Sequence, residues 1–491
     1  MMAKEWCLAF FVALFFATEA RAPCTCGSVL RIKKQAMEYA AQTQRRPLQE
    51  ALQMLHIPDF TRETQGGGGF LSGSWNPLGG IIRGLETVGG TVLKILGIDI
   101  KKVQLPEMKV TLQHGVGIKV DIETAIDIKL RAILLGGVEI KVGAGATADL
   151  EITKTSKGQP ILTIKACKSI EGDFNVIVGK NELIPDAFRL IRNHIHAFFA
   201  DKMCLIVSNI FLRINVHLER FGEPVRTNEQ VGLQYTMPSP PVVTEQYMDM
   251  SMNVDYQVKG ETYEHFKVVS QTLELPPNAG SSDAMVNMGF SADYFSNFFA
   301  AMHSTGIFSM EVSRQTVSAA DAHLLSTDTL ALMIPQIKKM YPRNEPIKIL
   351  IALSRAPVLS LEPGKIILRL TPALEIFAAL TGSQQKSLLV LNVDLLLAAT
   401  MDISGGKLML SLAMERDIQL KVATSNVGPC QVSNLQGYIS SYFDSVFMVN
   451  ANFELKKGVD LPSLPNVNLI NPVTAIQKEY AVVSCDLQYH E

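Results

Sequence analysis

The segment QYMDMSMNVDYQVKG, residues 246 to 260, alternates apolar and polar side chains. Successive side chains of a strand point to opposite faces, so the pattern predicts a strand with one apolar and one polar face. Met248, Met250, Met252 and Val254 lead the apolar face. Pliable thioether side chains suit the wall of a cavity that accepts ligands of varied shape. They suit packed core beneath a helix equally well, and periodicity alone does not separate the two interpretations.

The same alternation runs through residues 107 to 166. It predicts an antiparallel meander with one buried and one solvated face, and SKGQP at 156 to 160 predicts a hairpin turn. The apolar positions are Val110, Leu112, Ile118, Val120, Ile122, Ile126, Ile128, Leu130, Val138, Ile140, Val142, Leu150 and Ile152.

Helical spacing governs two other stretches of the first half. Residues 29 to 55 predict a helix or a kinked helix pair, because Ile32, Ala36, Tyr39 and later leucines recur at helical intervals, and Pro47 should bend or restart it. Residues 182 to 218 predict a long helix with a broad apolar stripe. Its part from Met203 to Leu212 is apolar nearly all round, so we expect burial on more than one side.

The proline-rich segment MPSPPVVT, 237 to 244, separates two halves of similar pattern. We place a domain boundary there, with one domain over 21–240 and another over 241–491. The second half predicts a helix near 291–302, a helix after Ser326, strands from 346 to 425, a helix near 431–450 and final strands near 466 and 480. A meander followed by a long helix in each half predicts a duplicated α+β architecture.

The first twenty residues have the pattern of a secretory signal peptide. Lys4 precedes an apolar run, and Thr18 and Ala20 favour cleavage before Arg21; cleavage after Ala22 is the alternative. No uninterrupted apolar run of about 18 residues follows. We therefore expect a soluble, secreted, extracellular protein.

The segment GGGGFLSGSWNPLGG, 66 to 80, is too glycine-rich to hold one conformation at low cost. It predicts either a mobile apolar tip that samples membrane or ligand, or a flexible loop whose apolar residues dock locally.

Charge is distributed unevenly between the halves. Residues 21–240 hold 27 Lys and Arg against 21 Asp and Glu, whereas 241–491 hold 17 against 24. A basic half can favour anionic partners such as acidic lipid headgroups, although dispersal over solvated faces explains the same counts. There is no dense basic cluster in the sequence, so we expect no nucleic-acid partner.

Motifs for catalysis or metal binding are weak. GAGATA from Gly143 has the spacing of a dinucleotide fingerprint, but strand alternation resumes at Asp149 where that motif needs a helix. His194 and His196 point in opposite directions on a helix, and we expect a packed His194 and an exposed His196. We therefore predict no enzyme activity, no metal site and no cofactor.

Several stretches in order carry a family resemblance: LRIKKQAMEYAAQTQRRPLQEALQMLHIPDF, QPILTIKACKSIEGDF, KMCLIVSNIFLRINVHL, TSNVGPC and GVDLPSLPNVNLI. They resemble the group of bactericidal/permeability-increasing protein, lipopolysaccharide-binding protein and long PLUNC proteins, and BPI fold-containing family B above all. The similarity spans nearly the whole chain after the signal peptide, including the Gly/Leu-rich insert at 66–90.

The resemblance implies an elongated boomerang of two pseudo-symmetric barrels. In each barrel a twisted antiparallel sheet wraps on a long helix, and a central β-sheet joins the two. It also implies a disulfide between Cys167 and Cys204, and an apolar acyl-chain pocket in each barrel near the central sheet. The candidates for lipid contact are Ile32, Ala36, Tyr39, Met248, Met250, Met252 and Val254.

Seven cysteines become six once Cys7 leaves with the signal peptide, an even number that suggests disulfides in an exported chain. Cys430 and Cys485 have no counterpart in the family's pattern and are candidates for a second bridge, from the last helix to the last strand. Cys24 and Cys26 would close a strained ring if they paired with each other. A disulfide-linked dimer through either of them is the competing option.

Three hypotheses of function follow from these patterns and the resemblance. The first is a secreted protein that binds or transfers phospholipid or fatty acid. The second is an innate-defence protein that binds bacterial lipopolysaccharide or a membrane surface; the absence of a basic tip weakens it. The third is a surface-active secretory protein, suggested by the insert.

Overall fold

The computed structural model describes residues 27–58, 95–132, 136–178, 185–219, 221, 225–226, 231–258, 261–262, 272–319, 321–379, 385–462 and 466–490. The predicted signal peptide at 1–20, Cys24, Cys26 and the insert at 66–90 lie outside these residues.

The first part of the described chain contains a helix pair, a meander of long strands and a long helix. The elements are β1 (Ser28–Lys33), α1 (Lys34–Thr43), α2 (Arg45–Gln53), β2 (Ile95–Val103), β3 (Glu107–Gln113), β4 (Gly117–Ala132), β5 (Gly136–Lys154), β6 (Pro160–Val178) and α3 (Pro185–Glu219). Short strands follow, namely β7 (Val225–Arg226), β8 (Val231–Thr236) and β9 (Val242–Val243).

The second part repeats this succession with more and shorter elements. They are β10 (Tyr247–Val258), β11 (Glu261–Thr262), β12 (Val286–Ser291), α4 (Ala292–Ser304), β13 (Met310–Val312), α5 (Thr327–Met333), α6 (Gln336–Met340), β14 (Ile347–Ala352), β15 (Val358–Glu362), β16 (Lys365–Leu370), β17 (Ala373–Ala379), β18 (Gln385–Ser404), β19 (Lys407–Met414), β20 (Gln419–Ser425), α7 (Gln436–Tyr442), α8 (Met448–Leu455), β21 (Val459–Asp460), β22 (Val467–Ile476) and β23 (Tyr480–Tyr489). A π-helical segment, Phe443–Phe447, joins α7 to α8.

Three antiparallel sheets organise these elements. The sheet built from β2 to β6 defines the first lobe and has the order β2-β4-β5-β6, with β3 also paired to β4. The sheet built from β13 to β21 defines the second lobe and has the order β13-β14-β17-β18-β16-β15, with β19, β20 and β21 attached. The central sheet, β22-β23-β12-β1-β10-β8-β7, takes strands from both ends of the chain. Two lobes joined by a central sheet form the α+β fold that the sequence predicted.

The predicted meander of the first lobe is confirmed. Its apolar positions are buried along β3, β4 and β5, with Ile152 half-buried at the end of β5. The hairpin turn predicted at 156 to 160 joins β5 to β6. GAGATA lies within β5, and a Cβ on Gly143 would come within 2.9 Å of the Gly172 backbone on β6. Glycine here permits a close approach of two strands, and the segment lacks the helix that a dinucleotide fingerprint needs.

The helix pair begins later than the spacing predicted. Residues 28 to 33 form a strand that pairs with β10 on one side and β12 on the other. Ile32 fits both a helical and a strand period, and two flanking strands satisfy the backbone groups of the extended form. The break predicted near Pro47 occurs at Gln44, and Pro47 lies in the first turn of α2, where a missing N–H is tolerated.

Helix α3 packs against β5, β6 and α2. Its span Ile191–Glu219 is long and apolar enough to cross a membrane by length and composition, a property that the core helix of a two-layer lobe shares. The predicted burial on more than one side is wrong for its outer face, where Leu205 and Leu212 are 53% and 61% exposed. The sequence showed the apolar character, but only the packing decides which face of the helix is covered.

Buried aromatic side chains lie around α4 and the π-helical segment, beside the aliphatic core that the second-lobe strands supply. Ser326 caps α5 by accepting a hydrogen bond from the Thr329 amide, and Pro335 separates α5 from α6. The segment KIILRLTPALEIF forms two strands, β16 and β17, because Pro372 lies between them and lacks a backbone donor. The buried aromatic residues are Phe290, Tyr294, Phe295, Phe298, Phe299, Phe308, Phe443 and Phe447.

Candidate functional site

An apolar cavity of about 320 Å³ lies in the first lobe, where it meets the central sheet. Its walls come from β3, β4, β5 and β6 of the first sheet, from helices α1 and α3, and from the ends of β1, β10, β22 and β23. The volume is within the range of small-molecule sites in proteins. The first lobe is therefore hollow on the side that faces the central sheet.

Strand alternation builds the floor of this cavity. Val110, Ile118, Val120, Ile122 and Leu150 all point inward from β3, β4 and β5. Because alternate side chains of a strand share a face, the residues between them point to solvent. The floor is therefore continuous and uncharged.

Helix α1 forms one side of the cavity with small residues. Ala36, Ala40 and Ala41 lie on its inner side, since residues four positions apart share a helix face. Arg45 Nε donates to the Pro106 carbonyl at 2.5 Å and Gln49 Nε2 donates to the Val103 carbonyl at 2.7 Å, which holds the following helix α2 against the first sheet. Helix α2 is thus anchored, and the short side chains of the preceding helix α1 leave room between α1 and the sheet.

The rim carries the polar groups of the cavity. Ala40, His217 and Tyr489 are exposed lining residues and mark the opening. Thr43 and Gln44 also line it, at the break between α1 and α2. No Lys, Arg, Asp or Glu is present among the described residues that line the cavity. The site is thus an apolar hollow whose rim carries polar side chains, among them His217 and Tyr489, and no carboxylate of a described residue.

The predicted lipid-contact residues divide into three groups: three line the cavity, one lies beside its rim, and three pack in or against the core. Ile32, Ala36 and Met248 line the cavity. Tyr39 lies beside the rim, where its hydroxyl accepts a hydrogen bond from the Tyr489 amide at 3.1 Å.

The apolar face of β10 is therefore divided along its length. Met250 and Met252 are almost fully buried in the hydrophobic core, and half-buried Val254 packs against that core. None of the three lines the cavity. Farther along, the Tyr256 hydroxyl donates to the Tyr294 carbonyl at 2.9 Å, beneath helix α4. Met248 faces the hollow, whereas the next two methionines form ordinary packed core.

The sequence pattern did not indicate the cavity residues that other elements supply. Val207, Ile210, Phe211 and Ile214 come from α3, and Leu487 comes from the last strand, β23. The apolar run in α3 signalled burial. Nothing in the period of β23 pointed to a site formed with residues more than four hundred positions earlier.

A buried charge behind the cavity was also missed. Ile32 faces the hollow, and its neighbour Arg31 points to the opposite face of the central sheet with 1% of its side chain exposed. Its guanidinium donates two hydrogen bonds of 2.8 Å to Asp249, and further bonds to the carbonyls of Leu275, Pro276 and Pro277. It also lies 3.9 Å from the centre of the Tyr247 ring. These contacts fix β1 to β10 and to the segment that covers that face.

Cys167 and Cys204 form a disulfide, with a Cα separation of 5.9 Å. It joins β6 to α3, as the resemblance implied. The predicted bridge between Cys430 and Cys485 is wrong, because both are free thiols in the described structure. Cys485 is buried within the central sheet opposite Val286 of β12, whereas Cys430 follows β20 of the second-lobe sheet. Burial raises the pKa of both thiols, and the Asp486 charge adds to the shift at Cys485, whose pKa is about 12.

The two histidines of α3 are arranged opposite to the prediction. His196 is buried with its ring centre 5.7 Å from that of Phe174, whereas His194 is half-buried with Nε2 3.1 Å from the Pro58 carbonyl oxygen. The helix turns His196 toward β6, which the spacing alone did not show. Burial lowers the pKa of His196; the Arg192 charge lowers it further and the Glu171 charge opposes the shift. Nε2 of His196 has no hydrogen-bond partner among the described residues.

Within the described ranges, no three His, Cys, Asp or Glu residues are placed to hold a metal ion together. The cavity is therefore the site that the geometry of the described chain offers most clearly.

Two family models match the chain in succession. The N-terminal domain of the LBP / BPI / CETP family matches residues 36–218, and the C-terminal domain of the same family matches residues 226–489. The boundary predicted at 240 stays a prediction. Strands β8 and β10, from either side of it, pair in the central sheet.

Curated relatives and a solved structure agree with these matches. BPI fold-containing family B member 2 of Homo sapiens is 27% identical over 468 residues, which is 95% of each chain. Bactericidal permeability-increasing protein of Sebastes schlegelii is 22% identical over 94% of this chain and 95% of its own, and lipopolysaccharide-binding protein of Bos taurus is 22% identical over 94% of each. A crystal structure of lipopolysaccharide binding protein superposes with a TM-score of 0.62 at 19% identity, covering 95% of this chain and all of that one. That structure supports the fold.

Proposed function

We propose that this chain, which belongs to the LBP/BPI/CETP family, is a lipid-binding protein. It binds the acyl part of a phospholipid or fatty acid in the first-lobe cavity. The observation that carries the proposal is the hollow itself, which is apolar inside and polar at its rim. An amphiphilic lipid has the same division between chain and head group.

Burial of hydrocarbon supplies the driving force. Each methylene moved from water into an apolar site contributes about 0.8 kcal/mol. A chain of ten methylenes therefore contributes about 8 kcal/mol, which is comparable to the cost of association and requires no ion pair or catalytic group. The proposed role is binding, with transfer between membranes as its extension, and it involves no enzymatic step.

Identification of bound lipid tests the proposal. We expect native mass spectrometry of the protein purified from its secreting tissue to show a lipid adduct that organic extraction removes. Absence of any lipid, in material purified without detergent or organic solvent, would contradict the proposed function.

A matched pair of variants on α1 links the adduct to the cavity. Ala40→Trp places a large side chain at the opening, and we expect it to lower lipid occupancy strongly. Gln42→Trp puts the same side chain on an exposed position of the same helix that does not line the cavity. Equal occupancy in the two variants would place the lipid elsewhere.

Export through the secretory pathway is part of the proposal. The sequence of residues 1–20 supports it, with a mature protein that begins at Arg21. Mass spectrometry of the N-terminal peptide from medium of expressing cells tests it. A start at Pro23 would favour the alternative cut, and retention of residues 1–20 would contradict export by this signal.

Lipopolysaccharide is the second candidate ligand. The excess of Lys and Arg over Asp and Glu in residues 21–240 favours it, and relatives of the chain carry the name of lipopolysaccharide-binding protein. Binding through dispersed basic residues should weaken as salt is added. A titration with lipopolysaccharide at low and high ionic strength tests this second candidate. Absence of binding at low salt would exclude it.

A further inference from the structure

We propose that the cavity accepts one acyl chain of about 13 carbons, from a single-chain lipid whose anionic head group lies against His217. The inference rests on the proposed lipid-binding function and specifies its ligand. Three features carry it: the volume of the cavity, the distribution of charge around it, and the position of His217 at its opening.

The volume limits the number of carbons. An engineered apolar protein cavity of about 150 Å³ holds one benzene molecule, which corresponds to about 25 Å³ per carbon. At that density a cavity of about 320 Å³ holds about 13 carbons. A diacyl phospholipid brings two chains, and the cavity would leave one of them in water. The space therefore matches a fatty acid or a lysophospholipid.

The charge distribution selects the head group. Apolar side chains cover the interior, and His217 is the basic side chain among the described residues at the opening. It lies in the last turn of α3, and the carboxyl end of a helix interacts favourably with a positive charge. A protonated imidazole can donate a hydrogen bond to a carboxylate or a phosphate.

Neighbouring groups at the opening complete a polar rim. Tyr489 is exposed there and its phenol can donate a hydrogen bond, while Thr43 and Gln44 lie at the break after α1. Glu219 is nearby on α3 but is not among the lining residues, so no carboxylate of the described wall opposes an anionic head group. The chain end of the ligand would then point toward the floor formed by Ile122 and Leu150.

Affinity as a function of chain length is the direct test. The delipidated full-length protein is titrated with saturated fatty acids of 8 to 18 carbons, by displacement of a fluorescent fatty acid. Each added methylene should raise affinity about four-fold while it enters the apolar site, as 0.8 kcal/mol requires. We expect this rise to stop near 13 carbons, with one molecule bound per chain. A rise that continues to 18 carbons would overturn the proposed length.

A second titration separates one chain from two. Tetradecanoate and tetradecanoyl lysophosphatidic acid present a carboxylate and a phosphate on the same chain, and dimyristoyl phosphatidic acid presents two such chains. Binding of the first two but not the third supports the inference, and the stronger of the two identifies the head group. Tighter binding of the diacyl lipid overturns the single-chain inference alone. If no lipid binds at all, the proposed lipid-binding function itself fails.

A matched pair of phenylalanine variants on α3 tests the volume. Phe211 lines the cavity, whereas Phe199 is buried in the same helix away from it. Phe211→Leu removes about three carbons from the wall and should move the end of the rise to a chain two to three carbons longer. Phe199→Leu should leave the end of the rise near 13 carbons, even though it makes the protein less stable. An unchanged optimum in folded Phe211→Leu would contradict the inference.

The role of His217 is tested with a charged and an uncharged ligand. His217→Gln should weaken tetradecanoate roughly ten-fold, the scale of one lost charge-assisted hydrogen bond. 1-Tetradecanol has the same chain without the charge, and its affinity should stay unchanged. Equal effects on both ligands would show that His217 shapes the opening and does not contact the head group.

Discussion

Arg31 and Asp249 lie opposite each other on β1 and β10, 218 positions apart in the sequence, and two hydrogen bonds of 2.8 Å join them. The pair holds an early strand of the chain to the strand that follows the proline-rich segment. Arg31 is almost completely buried, so its positive charge is stabilised by Asp249 and by the surrounding carbonyls in place of water. The central sheet is thus fastened by a charge that neither local sequence suggests.

Removal of Arg31 should destabilise the protein strongly. Arg31→Met leaves Asp249 and three backbone carbonyls without their donor, and we expect a loss of about 3–5 kcal/mol in the free energy of unfolding. Asp249→Asn should lower the free energy of unfolding by a smaller amount, because the guanidinium still donates hydrogen bonds to the carbonyls. Urea unfolding measures both.

The pair Arg369 and Asp394 serves as the control for this prediction, because Arg369 is 57% exposed whereas Arg31 is 1% exposed. Arg369→Met removes an ion pair of similar geometry from a solvated surface, where such pairs contribute little. A loss as large as that of Arg31→Met would show that burial is not the cause.

Loss of the Cys167–Cys204 disulfide should lower stability by about 2–4 kcal/mol, because the bridge closes a loop of 37 positions and restricts the unfolded chain. The double variant Cys167→Ser/Cys204→Ser should unfold at a lower temperature than the parent protein. Addition of reductant should bring the parent to the same midpoint and leave the variant unchanged. A parent protein indifferent to reductant would argue against the bridge.

Cys430 and Cys485 should be found as unlinked thiols of unequal reactivity. Burial raises the pKa of both, and that of Cys485 is about 12, so little thiolate is present near neutral pH. We expect iodoacetamide to modify half-buried Cys430 slowly in the native protein and Cys485 only after unfolding. Peptide mapping without reduction measures this, and the linked Cys167–Cys204 peptide is the internal control. A Cys430–Cys485 peptide would contradict the structure.

His196 should make the protein less stable in mild acid. Burial lowers its pKa below the ordinary value of 6.5, so the unfolded chain binds this proton more readily than the native one. Stability then falls as the pH drops below 6.5, and this contribution levels off below the native pKa.

A histidine variant isolates that contribution. His196→Phe should show a flatter dependence of the urea midpoint on pH between 8 and 5 than the parent. His114→Phe changes an exposed histidine and should keep the parent slope. Parallel curves for all three proteins would show that His196 does not cause the acid sensitivity.

The methionines of β10 offer a comparison within one strand. Met248 and Met252 are equally buried, but only Met248 lines the cavity. Replacement by Ala should destabilise both proteins by about 2–5 kcal/mol. We expect only Met248→Ala to change lipid affinity, measured by displacement of a fluorescent fatty acid. An equal change in both would mean that the packed part of the strand also contacts the ligand.

Local pattern explains which elements could be predicted. Strands β3 to β5 and β10 and helix α3 follow from alternation and helical spacing, because a side chain's direction depends on its own backbone. The strand at 28–33 was assigned to a helix because Ile32 satisfies both periods, and pairing with β10 and β12 decided between them. The orientation of His194 and His196 depended in the same way on which side of α3 meets β6.

The sequence by itself determined the antiparallel meanders, the long helices, the family and the apolar character of the walls, because each depends on short-range periodicity or on an ordered set of segments. Only the tertiary structure decided that Met248 borders a hollow while Met252 is packed, that Arg31 is buried against Asp249, and that Cys430 and Cys485 are apart. A cavity is the space that side chains from distant segments leave unfilled, and it depends on how sheets and helices are placed. Periodicity reports which face of an element is apolar, and packing decides what that face meets.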